Sequence, residues 1–102
     1  MTTLAAEAIT DDFDTQPYED KGYIMPTMVN GMVCGLTPLV FTWGVCTGID
    51  ETGYRNRFCF ETLLDAISFL TEWDGLAAPT VGEDGCVALR VQYPEDFQQI
   101  TR

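Results

Sequence analysis

A chain of 102 residues with sixteen Asp and Glu, five Lys and Arg and no histidine has a net charge of −11. That length gives one domain with little room for a large enclosed active site. The charge repels nucleic acid and bare anionic membrane and attracts basic surfaces, and the missing histidine removes the usual general base and the commonest metal ligand.

Residues 1–21 form an acidic segment with six carboxylates, and Lys21 is its first base. It has neither a basic n-region nor a long apolar run, so no signal peptide is expected, and no stretch of the chain approaches membrane-spanning length. Pro17 and the acid run oppose a long helix, so the expectation is an acidic arm, with the domain proper over 22–102. Asp12, Asp14, Gln16, Tyr18 and Asp20 repeat the spacing of a calcium loop. However, Pro17 stands where glycine is needed and Tyr23 where the bidentate Glu is needed, so calcium is rejected and no metal or other cofactor is expected.

From Gly22 the chain becomes apolar. Asn30-Gly31 predicts a tight turn between short strands. Alternation over 38–49 predicts a strand with Leu39, Phe41, Trp43, Val45 and Ile49 on one face and Thr42, Gly44 and Cys46 on the other. The turn DETG leads to a second strand over 54–60, with Arg55 and Arg57 on one face and Tyr54, Phe58 and Phe60 on the other. A helix over about 61–73 follows. Thr62 and Asp65 form its capping box, Leu63, Ala66, Ile67, Leu70 and Trp73 its buried stripe, and Asp74-Gly75 its end. Its remaining face carries Glu61, Asp65, Ser68, Glu72 and an exposed Phe69. Over 85–93, Val87, Leu89, Val91 and Tyr93 are expected to face the core. Pro94 opens a short final turn or tail. The predicted fold is α+β: an antiparallel sheet of about four strands with one main helix packed on one face.

Cys34, Cys46, Cys59 and Cys86 lie in apolar runs without a CxxC pair, so they are expected to be reduced, buried thiols in a cytosolic protein. No phosphate-cradling glycine loop and no nucleophile with a base appear, so no enzyme is expected. Two surfaces stand out. One is Asp11, Asp12, Asp14, Glu19 and Asp20 with Phe13 and Tyr18, where charge steers a partner and rings anchor it. The other is the helix face with Glu61, Asp65 and Glu72. Both have a plainer reading as solvated acidic surface. Arg55, Arg57 and Arg90 either balance nearby acids on the sheet or grip a phosphate or carboxylate.

YRNRFCFETLLDAISFLTEWDG, residues 54–75, followed by Pro79 and DGCVALRV, resembles a pattern of small bacteriophage and prophage accessory proteins. In that pattern an aromatic-Arg-aromatic-Cys-aromatic strand enters an Ala-rich helix ending in Trp-Asp-Gly. The matching residues are Arg57, Phe58, Cys59, Phe60, Ala66, Trp73, Asp74, Gly75 and Pro79; Cys86-Val87 departs from it, where the pattern has Trp. The resemblance covers about a third of the chain. It implies a host bacterial cytoplasm and a non-enzymatic inhibitor of a defence system, as in anti-CRISPR proteins, some of which mimic DNA. The partner would be a defence effector, bound at a basic surface and without direct nucleic-acid contact. The alternatives are a sponge that sequesters a signalling nucleotide through Arg55, Arg57 and Arg90, and a phage structural or assembly protein.

Overall fold

The computed structural model describes residues 13–97. Five antiparallel strands form one sheet in chain order: β1 (Ile24–Val29), β2 (Met32–Pro38), β3 (Trp43–Thr47), β4 (Asn56–Phe60) and β5 (Cys86–Val91). A five-residue helix, α1 (Gln16–Asp20), precedes the sheet. The main helix, α2 (Leu63–Glu72), joins β4 to β5, and a 3-10 turn over Pro94–Asp96 follows β5. The fold is α+β, with five strands where about four were expected. Among the described residues, no helix is long and apolar enough to cross a membrane.

Asn30 and Gly31 make the β1–β2 turn, both with positive φ (50° and 80°), which is the geometry that matches hairpin twist. Register then sorts the side chains. Cys34 pairs with Thr47 and Thr47 with Asn56, while Leu36 pairs with Val45 and Val45 with Phe58. All of these point to the α2 face and are buried. Thr62 caps α2, its Oγ1 accepting from the Asp65 backbone N–H at 3.0 Å. Ala66 and Leu70 then drop into the core against Phe58 and Phe60, with Leu63 and Ile67 at its margin.

Five aromatics tie helix to sheet. Phe58 meets Phe69 and Trp73 edge-on at 5.7 and 5.3 Å, and Phe97 lies 5.8 Å from Phe58. Phe69 is therefore part of the core margin, not the exposed ring expected on the acidic face. The helical stripe is wider than the spacing implied because Phe60 offers a second ring to pack on, 5.0 Å from Phe69.

Other expectations need correction. Residues 38–49 are not one strand: Leu39 N–H bonds the Thr42 carbonyl at 2.9 Å, closing the β2–β3 turn. The alternation ran across a hairpin tip, leaving Val40 and Phe41 at 86% and 90% exposure. Leu39 and Ile49 pack against Gly44 and Gly35 on the opposite face from Val45. Tyr54 also leaves the core face, its hydroxyl accepting from Arg57. Arg55 precedes β4 and bonds Asp96, so it does not share a strand face with Arg57. In β5 an irregular register after Cys59 sets Phe60 opposite Cys86, so Cys86 fills the core and Val87 turns to solvent, while Leu89 stays opposite Phe58 as expected but at the sheet edge remains partly exposed, and Tyr93 lies exposed beyond the strand.

The C-terminal turn is held from β4. Asn56, fully buried, accepts the backbone N–H groups of Gln92 and Tyr93 at 2.9 and 3.0 Å and donates to Asp96 at 2.9 Å. This clamp delivers Phe97 to the core. All four cysteines are free and buried, Cys34 and Cys86 on the α2 face, Cys46 and Cys59 on the other.

A candidate acidic groove on the main helix

Spacing of three, four and seven residues puts Asp65, Ser68, Phe69 and Glu72 on one side of α2. Trp73 continues that side at the helix end. Its indole N–H donates to the Ala77 carbonyl at 2.7 Å, fixing the ring. Beside this face the chain returns to begin β5. Glu61 N–H bonds the Gly85 carbonyl at 3.2 Å, and Cys86 N–H bonds the Glu83 carbonyl at 2.9 Å. These bonds hold Asp84 opposite the helix.

The result is a groove of about 420 Å³. Half-buried Phe69 and Trp73, their centroids 5.3 Å apart, form its apolar floor. Asp65, Glu72, Asp74 and Asp84 border it, and among the described residues no basic side chain lines it. Among the described residues none of these four carboxylates enters a salt bridge, and no cluster of acids or thiols has metal-holding geometry. Four like charges around a partly desolvated floor repel one another, so the groove gains from any cation that enters it. A guanidinium suits it best, since its plane stacks on an aromatic ring while its edge forks to a carboxylate.

Asp65 and Glu72 are thus brought together as the sequence indicated. Glu61 lies outside the groove lining, in the turn between β4 and α2. Asp74 and Asp84 were missed. In sequence Asp74 marks only the end of the helix, and nothing local marks Asp84, which arrives through the β4–β5 pairing.

Of the N-terminal acids, the described Asp14, Glu19 and Asp20 do not join this groove. Asp14, Glu19 and Asp20 are exposed on and beside α1, with Phe13 and Tyr18 half-buried and 5.9 Å apart. Asp11 and Asp12 lie outside the described residues. Pro17 sits in the first turn of α1, where its missing N–H costs nothing, and Gln16 bonds Asp20 at 2.8 Å. Lys21 Nζ donates to the Asp50 carbonyl at 3.0 Å, and Tyr23 packs on Gly35, so α1 lies against the sheet face turned away from α2. The described part of the N-terminal acidic surface and the acidic face of α2 therefore lie on opposite sides of the sheet.

Arg55 is spent on structure. It forks to Asp96 at 2.8 and 2.9 Å, approaches Glu95 at 3.8 Å and stacks 3.9 Å from the Tyr93 ring centroid. Burial pushes the thiols of Cys34 and Cys46 up to about 12, so neither is a nucleophile at neutral pH. No family model, no curated protein and no solved structure matches the chain.

Proposed function

We propose that the protein is a non-enzymatic inhibitor that binds a bacterial defence effector at a basic, nucleic-acid-binding surface. The observation that carries this reading is the α2 groove, where four carboxylates surround an aromatic floor with no counter-charge among the described residues. It receives an arginine or lysine side chain of the partner. The net charge of −11 steers the encounter, and the resemblance of residues 54–75 to phage accessory proteins supplies the class of partner. The β2–β3 tip adds an apolar anchor, since Val40 and Phe41 stand almost wholly in solvent. On the other side of the sheet, Asp14, Glu19 and Asp20 contribute charge at longer range.

The test is a pull-down between the tagged protein and a panel of purified nucleic-acid-binding defence effectors, repeated with Asp65→Lys/Glu72→Lys. Binding that is lost in the double variant, and that weakens steeply between low and physiological salt, supports the reading. Binding of an effector that ignores both the reversal and the salt would move the contact off the groove. Failure to bind any effector would overturn inhibition by this route.

A further inference from the structure

The sheet face turned away from α2 carries two arginines that form no salt bridge among the described residues. Arg57 and Arg90 are directly opposed partners on β4 and β5, so their side chains leave the same face. Opposed residues of an antiparallel pair have Cα atoms about 4.5–5.5 Å apart, and like charges so placed repel. Among the described residues neither arginine makes a salt bridge, although the chain has sixteen acids for five bases.

Arg57 is also held ready. Its Cδ lies over Gly44, where a Cβ would come within 3.2 Å, so only glycine leaves that path open without displacement. Its Nη1 donates to the Tyr54 hydroxyl at 3.1 Å, which fixes the plane of the guanidinium. Its Nε is buried and, among the described residues, meets no acceptor. A buried donor without a partner is costly and rare, and it marks the edge that an acceptor would satisfy. Arg90 is exposed and free to close on the same acceptor from β5.

We propose that Arg57 and Arg90 form a binding site for a small phosphate-class dianion on the β4–β5 surface. A dianion balances both guanidinium charges, and its several oxygens accept from two forks at once; one carboxylate would balance only one. Tyr54 is a positioning residue for Arg57. Arg55, committed to Asp96, takes no part. The site lies on the opposite side of the sheet from the α2 groove and does not depend on it.

The experiment is a titration of the full chain with inorganic phosphate at constant ionic strength, followed through the arginine Nε–H resonances by ¹⁵N NMR, with potassium chloride as the control. The Arg57 Nε–H signal is expected to move saturably with phosphate and not with chloride. Arg90→Gln, at an exposed position, is expected to keep the fold and weaken phosphate binding by about tenfold, the usual worth of one charge-assisted contact. Arg57→Lys keeps the charge, loses the fork and is expected to weaken binding at least as much. Adenosine monophosphate forms a second arm: tighter binding than phosphate assigns a nucleotide, and equal binding assigns the phosphoryl group alone. A response to phosphate no larger than to chloride, or undiminished binding in Arg90→Gln, overturns the site.

Discussion

Arg55 closes a two-pronged hydrogen bond on Asp96, 2.8 and 2.9 Å long, across 41 residues of sequence. The same carboxylate accepts from Asn56 at 2.9 Å, and its side chain is only 14% exposed. Asp96→Ala would strand a fully buried amide donor and release the turn that carries Phe97. The expected loss is about 2–3 kcal/mol, the cost of leaving a fully buried donor without its partner. In a domain of this size that corresponds to a midpoint lower by roughly 10–20 °C, measured by thermal denaturation. An unchanged midpoint would mean that the fork is not a clamp.

Asn56 carries more of the same network. Its Oδ1 accepts two backbone N–H groups and its Nδ2 reaches Asp96. Asn56→Ala is expected to cost more than Asp96→Ala, and Asn56→Asp to be harmful too, because it sets two carboxylates together. Equal midpoints for wild type and Asn56→Ala would refute the network.

Much of this architecture could be read from residues. Asn30-Gly31 announced the first hairpin, Thr62 and Asp65 the start of α2, and Ala66 and Leu70 its buried face. These signals are local, fixed by turn chemistry, capping and helical spacing. The failures came where long-range pairing decided the outcome. Residues 38–49 alternate in sequence, but a hairpin bend intervenes and leaves Phe41 in solvent. Val87 fits the strand pattern, but an irregular register turns Cys86 inward instead. The groove was half legible for the same reason. Asp65 and Glu72 share a helix, whereas Asp84 reaches them only once β5 has paired with β4.

The thiols give a prediction about pH. Burial raises the Cys34 and Cys46 thiols from 9.0 to about 12. A raised folded-state value means that the native chain holds these protons more tightly than the unfolded chain does. The stabilisation is full below the unfolded value of 9.0 and is lost as pH climbs from there through about 12. Alkaline titration followed by circular dichroism is expected to show falling stability over that window. Alkylation at pH 8 is expected to be slow for the native protein and fast in denaturant. Rapid labelling of Cys34 or Cys46 without denaturant would contradict their burial.

The β2–β3 tip separates binding from folding. Val40 and Phe41 touch almost nothing, so Val40→Ser/Phe41→Ser is expected to change stability by no more than about 0.5 kcal/mol. If the tip anchors a partner, the same variant weakens binding to any effector captured through the groove by about tenfold or more, the scale of an interface hot spot. A marked loss of folding midpoint would show that the tip packs, and intact affinity would remove it from the interface.

Gly85 couples the fold to the groove. Its φ is +86°, and a Cβ there would run into the Asp65 carboxylate. The left-handed backbone makes Gly85→Ala cost about 1 kcal/mol, while the Asp65 side chain must swing aside. The added Cβ would also approach Asp65 Cβ to 2.9 Å, which side-chain rotation does not relieve, so the Gly85 loop must shift slightly while its carbonyl stays bonded to the Glu61 N–H. The variant is therefore expected to fold with a modestly lower midpoint and to bind a short arginine-rich peptide more weakly, whereas Gly82→Ala, equally left-handed at +97° but open on all sides, lowers the midpoint alone. Isothermal titration with the same peptide compares the two. Equal affinity for wild type and Gly85→Ala would mean that Asp65 does not shape what enters the groove.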